Sequence, residues 1–309
     1  MKNIPSKKEL LTRINIYTIL IREEPDNVEY YLDRACDREA LGHMKGAIHD
    51  YTRAIAIDPS CKEAFLGRGY AHFNMGNVQE SILDFSSVIA LEPHCSEAWF
   101  ERGDSKSALG NYEGALEDYN QLIAFDPDYP KVFYSRALAK FMLDDNLGTI
   151  ADLDRTLEID PSMTEVYYNR GLAKLDSMDY SSAIDDFTLA ISFEEDFTLA
   201  YANRANAKFC IFDYKGALDD LEHVVTRENV KVETLTNYGI LKRELGDHEW
   251  AMDAFNRAIA LDPKYPNAWM VRGLLEFDLG FREKARRDLK RAGELGIKEA
   301  WDLLNEMLY

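Results

Sequence analysis

A chain of 309 residues with 46% hydrophobic and 29% charged residues has the composition of a folded protein and excludes a disordered or fibrous one. Its 55 Asp+Glu against 36 Lys+Arg leave a formal charge of −19, which repels phosphate backbones and anionic lipid at long range. Nucleic acid and membrane are therefore disfavoured as partners, and neutral or basic proteins favoured.

The first predicted element spans residues 6–23, where Leu10, Leu11, Ile14, Tyr17, Leu20 and Ile21 recur at helical spacing until Glu24-Pro25 ends the run. Shifted by 34 residues, Tyr17 falls on Tyr51 and Pro25 on Pro59. Residues 1–27 are thus half of a repeating unit and are expected to cap the amino end. Full units follow at 28–61, 62–95, 96–129, 130–163, 164–197, 198–231, 232–265 and 266–299, each with two short helical patterns and a turn. Pro25, Pro59, Pro93, Pro127, Pro161 and Pro263 keep one 34-residue grid, with Glu195 and Asn229 on the points that lack proline. Length alone suggests two domains, but units that touch mainly their neighbours predict one elongated domain over 28–299.

Within each unit the eighth residue is Gly or Ala and the twentieth is small, as at Gly103 and Ala115, which predicts the crossing point of the two helices. The fourth and twenty-fourth are large and apolar, as at Trp99 and Tyr119, and should fill the seams. Gly42, Gly76, Gly110, Gly246 and Gly280 sit where a helix ends with positive φ. Asn77, Asn111, Asp145, Asp179, Asp213 and Asp247 follow, able to cap the next helix by accepting its free N–H groups. In the last unit Arg286 and Gly293 replace residues that are apolar elsewhere. A final helix near 298–308, which supplies the carboxy-terminal cap at 300–309, offers Trp301, Leu304 and Leu308 to cover it.

This pattern resembles the tetratricopeptide repeat (TPR) family over residues 28–299. The resemblance implies an all-α protein: a right-handed α-solenoid of eight 34-residue helix–turn–helix repeats with helical caps at both ends. Its concave groove, lined by the first helix of each repeat (helix A), usually binds peptides or extended segments of other proteins.

The sequence departs from the commonest TPR pattern at two columns. Position 7, usually leucine, is Arg34, Arg68, Arg102, Arg136, Arg170, Arg204 and Arg272; position 23, usually aromatic, is Asp50, Asp84, Asp118, Asp152, Asp186, Asp220 and Asp288. In the seventh repeat both change together, to Tyr238 and Ala254, which predicts an Arg–Asp ion pair joining the two helices in the other seven. Lys106, Lys140, Lys174, Lys208 and Lys242, one turn after position 7, are either part of that ionic seam or a functional basic strip.

Positions 2, 6, 9 and 13 of helix A point away from the crossing and should line the groove. In the first three repeats they are acidic, with Glu97, Glu101 and Asp104 the candidate binding residues; in the fourth to seventh they include Leu138, Leu172, Asn169, Asn203, Asn206 and Asn237, bordered by Tyr134 and Tyr168. Asn169, Asn203 and Asn237 share one column, so they are either a ladder that hydrogen-bonds an extended backbone or solvated helix residues. The resemblance also includes a chaperone-binding subset that clamps a carboxylate with Lys and Asn in its first repeat. Leu32 and Cys36 hold those places here, which disfavours anionic chaperone tails.

Cys61 and Cys95 occupy one column of adjacent repeats, about 10 Å apart by helix packing and too far for a bridge, so reduced thiols are expected. Arg13 and Asn15 interrupt the amino-terminal apolar run, and no stretch approaches the ~18 apolar residues of a membrane span, so a cytoplasmic protein without signal peptide is expected. No phosphate loop, nucleophile elbow or His-Glu-x-x-His motif occurs, and the six histidines scatter over different columns. The expectation is a noncatalytic scaffold without cofactor or metal, binding a neutral to basic protein segment. The alternatives are a self-assembling module whose end helices pair between copies, and a targeting or regulatory subunit of a separate enzyme.

Overall fold

The computed structural model describes residues 5–129, 131–227 and 230–306, which form eighteen helices and no strand. The chain falls into two compact units, Met1–Ile159 and Asp160–Tyr309. The first opens with α1 (Lys7–Glu23) and continues with the pairs α2/α3 (Val28–Ala40, Met44–Ile57), α4/α5 (Lys62–Asn74, Val78–Leu91), α6/α7 (Ser96–Ala108, Tyr112–Phe125) and α8/α9 (Val132–Phe141, Asn146–Ile159). The second holds α10/α11 (Thr164–Asp176, Tyr180–Phe193), α12/α13 (Thr198–Cys210, Tyr214–Val225), α14/α15 (Val232–Glu244, His248–Leu261), α16/α17 (Pro266–Asp278, Arg282–Glu294) and α18 (Glu299–Glu306). Inside each unit every helix packs on its chain neighbours, and A helices of successive pairs also meet, so each unit is an α-solenoid.

The pairs are bent back by one turn design. In all eight, the amide of the residue before helix B donates to a carbonyl five residues back, as Asn111 does to Lys106 at 3.0 Å. Gly42, Gly76, Gly110, Gly246 and Gly280 take φ of 75°, 78°, 76°, 81° and 83° at this turn, as expected. The three repeats without glycine adopt the same conformation with Asp144, Met178 and Phe212 at φ 60°, 61° and 64°. Four of the six expected caps form: Asn111, Asp145, Asp179 and Asp213 accept from the amide three residues on. Asn77 and Asp247 make no such bond.

Between the helices, each position-8 glycine makes room for the position-24 side chain of its own repeat. A Cβ on Gly103 would lie 2.5 Å from the Tyr119 ring, and one on Gly171 2.7 Å from Phe187. Position 20 is fully buried, and Thr149 there donates to the Ala137 carbonyl at 3.3 Å. In four of the pairs the position-4 ring anchors the helix to the loop before it: Trp99 and Trp269 donate to the Pro93 and Pro263 carbonyls, and Tyr31 and Tyr167 to those of Pro25 and Pro161.

The Arg–Asp pair is present in all seven predicted repeats, and each arginine does more than was expected of it. Arg102 gives two parallel bonds to Asp118, Nε at 2.9 Å and Nη2 at 2.7 Å, and a third from Nη1 to Ser86 on α5. Its guanidinium lies 4.7 Å from the Trp99 ring centroid. One side chain thus joins α5, α6 and α7. Arg34, Arg68, Arg136, Arg204 and Arg272 repeat the arrangement with Thr18, Thr52, Asn120, Thr188 and Asn256 as third partner. Lys106, Lys140, Lys174 and Lys208 reach the same carboxylates at 2.7–2.9 Å, so these four belong to the ionic seam. In the seventh repeat Tyr238 and Ala254 enter an apolar cluster instead, and Lys242 sits over the Tyr238 ring.

A single helix packs on the first pair and another on the last. Ser6 and Glu9 form a reciprocal capping box on α1, which packs Ile21 onto the first pair. At the other end Trp301 lies on Gly293, while Leu303 and Leu304 join Leu289, Ala292 and Ala300. Leu308 is outside the described residues.

Candidate functional site

In the second unit a cavity of about 100 Å³ opens between α12 and α14, lined by Ala202, Ala205, Asn206, Phe209, Leu221, Asn237, Ile240 and Leu241. Ala202 and Ala205 present only methyl groups to it. That volume holds a few waters or one aliphatic side chain. Asn206 and Asn237, both exposed, bring amide donors and acceptors to this apolar recess. Asn203 differs from them: its amide nitrogen donates to the Tyr168 hydroxyl and the Leu199 carbonyl, both at 3.0 Å. Tyr168 packs on Phe187 and Phe197 in a cluster that includes Leu172, and burial pushes its phenol up. Asn169 is half-buried on α10. Of the four asparagines, Asn203 is held against Tyr168, Asn206 and Asn237 lie beside the cavity, and Asn169 lies on α10 away from it.

In the first unit a second cleft is bounded by Phe73 of α4, by Asp104, Ser107 and Ala108 of α6, by Ser135 and Leu138 of α8 and Met142 just after it, and by Tyr112 and Tyr119 of α7. Tyr119 donates to Asp104 at 2.5 Å, and Tyr70 to Glu97 at 2.6 Å. Burial raises the Asp104 carboxyl, against hydrogen bonds from Tyr119 and Ser135 that lower it. Glu101 is pushed up to about 7, mainly by burial and further by the charges of Asp104 and Glu97, with Tyr70 and Lys131 acting the other way. Tyr129 rises to about 12, first from burial and then from Glu101 and Glu97. Tyr134 is half-buried on α8.

Phe73, Ser107 and Phe209 share position 12, a column outside the four chosen from the sequence. It lies one turn beyond position 9 and so faces the same way, which is the signal that would have found it. Tyr70 stands at position 9, inside the chosen columns, whereas Tyr129 in the loop before α8 carries no such mark, since only packing brings it near Glu101 and Glu97. Among the described residues no group of three or more His, Cys, Asp or Glu is placed to hold a metal ion, no helix is long and apolar enough to cross a membrane, and all four cysteines are free thiols.

Residues 32–89 and 232–265 match family models described as tetratricopeptide repeat, and residues 103–144 one described as TPR repeat. No curated protein matches the chain. Among solved structures, a tetratricopeptide repeat protein from Parabacteroides merdae is 20% identical, with a TM-score of 0.59 over 80% of this chain and 98% of that one. The C-terminal part of a TPR repeat-containing protein from Cytophaga hutchinsonii is 15% identical, with a TM-score of 0.65 over 77% and 97%. YrrB, named as a TPR protein with an unusual peptide-binding site, is 17% identical, with a TM-score of 0.54 over 60% and 95%. At these identities the likeness is one of fold. Three separate segments that carry the repeat, and a helix-pair architecture shared with solved members, make this chain a tetratricopeptide repeat protein.

Proposed function

We propose that the chain is a noncatalytic cytoplasmic scaffold that binds an extended, neutral to basic segment of another protein against its A helices, and that nucleic acid and membrane are not its partners. The observation that carries the reading is the α12–α14 cavity, where an apolar recess sized for one side chain lies beside the exposed amides of Asn206 and Asn237. Such a recess takes a side chain while the amides hold the backbone next to it, which is how a helical surface grips an extended chain. YrrB, a protein of the same fold, is named for a peptide-binding site, which supports the reading by likeness of fold.

The test is calorimetric titration of a partner segment, first found by co-purification from the native cell. Asn237→Ala and Asn206→Ala should each lower affinity about fivefold, the equivalent of ~1 kcal/mol per lost hydrogen bond, with little change in melting temperature. Equal affinity in both variants would count against the proposal. Self-association is the second reading, because α1 leaves Leu11, Ile16 and Ile19 at 42%, 48% and 55% exposure. A concentration-dependent oligomer in light scattering, lost in Ile19→Ser, would favour it.

A further inference from the structure

The cleft of the first unit suits a ligand chemistry different from that of the α12–α14 cavity. One wall is apolar and uncovered: Phe73, Leu138 and Met142 are 37%, 36% and 55% exposed. The cleft's acidic member is Asp104, and Glu101 and Glu97 extend that charge beyond the cleft, one and two turns back on the same face of α6. The groups that face Glu101 are Tyr70 from α4, Glu97 and Asp104 from α6, Tyr129 from the loop before α8, and Lys131 at the start of α8. Three carboxylates thus meet one ammonium, and folding has removed part of the water that would have solvated them.

We propose that this surface receives a lysine or arginine side chain of a partner segment, its head on Glu101 and its neighbours Glu97 and Asp104, with an apolar residue of the same segment in the adjoining cleft against Phe73, Leu138 and Met142. The assignment rests on the scaffold reading and names the residue type taken at one place on that surface. Charge complementarity carries it. A long cationic side chain has an apolar stem and a charged head, so it matches an apolar cleft that opens onto a row of carboxylates. An acidic residue would meet three like charges. A neutral one would leave three carboxylates facing the single ammonium of Lys131.

Proton linkage gives the binding a signature. A cation beside Glu101 favours its ionised form, and that form alone attracts the cation, so binding releases a proton. Since Glu101 titrates near 7, the ionised fraction grows about tenfold from pH 6 to pH 8, and affinity should rise with it.

The experiment uses the full chain and fluorescent dodecapeptides that contain one leucine and, two residues away, lysine, arginine, glutamine or glutamate, titrated by polarisation. Lysine and arginine peptides should bind at least tenfold tighter than the glutamine peptide, and the glutamate peptide weakest. Glu101→Gln should abolish both the preference and the rise with pH. Met142→Ala, at an exposed position that does not threaten folding, should weaken every peptide alike and leave the pH slope intact. Equal binding of lysine and glutamine peptides, or an unchanged pH slope in Glu101→Gln, would overturn the proposal. If peptides then still bind in a manner sensitive to Asn237→Ala, the scaffold reading survives alone. If neither surface binds any peptide, both fail.

Discussion

Asp118 is almost completely shielded from water, yet its carboxylate accepts two bonds from Arg102 and lies 2.9 Å from Lys106. Removing one member of such a buried pair leaves a charge without compensation, whereas replacing the pair by apolar groups of matching shape is often neutral. The seventh repeat has made that replacement, with Tyr238 and Ala254 in the corresponding places. Asp118→Ala alone should therefore destabilise by about 3–5 kcal/mol, and Arg102→Tyr combined with Asp118→Ala should recover most of the loss. A double-mutant cycle in urea measures it. A double variant as unstable as the sum of the two singles would show that the columns do not form one unit.

At the scale of the element, the intra-repeat turn imposes its geometry whatever residue it is given. Met178 and Phe212 hold left-handed backbone where five other repeats use glycine, and their side chains are 72% and 77% exposed, so little packing offsets the strain. Left-handed backbone costs a non-glycine residue about 1–2 kcal/mol, and glycine returns part of that through the freedom it adds to the unfolded chain. Phe212→Gly should accordingly stabilise by about 0.5–1 kcal/mol, read as a higher urea midpoint; a lower midpoint would mean that the Phe212 ring has a packing role. These turns also show where sequence reading stops. The helices and their register were legible because eight copies average out weak local signals, and the Arg–Asp seam because one repeat lost both partners together. The turns at Asp144, Met178 and Phe212 carry no glycine to announce them, since helix packing on both sides outweighs local preference. In the candidate site, the columns through Asn206, Asn237 and Asp104 were legible from periodicity. The tie between Asn203 and Tyr168 was not, because it spans 35 residues and depends on the angle between two helices.

For the molecule as a whole, stability in each unit is close to a sum of terms for single repeats and terms for their interfaces, so a terminal repeat depends on whatever covers its open face. In the second unit that cover is α18. Gly293 has no side chain because the Trp301 ring occupies the space, 2.5 Å from where a Cβ would be. The ring is 41% exposed, so truncating it should cost less than the ~3–5 kcal/mol of a fully buried tryptophan, about 2 kcal/mol. Trp301→Ala should then speed amide exchange in α17 roughly thirtyfold, because opening of the last pair becomes easier by that amount. The effect should weaken through α16 and α15, and α10 and α11 should keep their protection, because coupling passes only between neighbours. Hydrogen exchange resolved by mass spectrometry reads this gradient directly. Equal loss of protection from α10 to α17 would mean that the unit opens as one block, and the additive account of its stability would have to be abandoned.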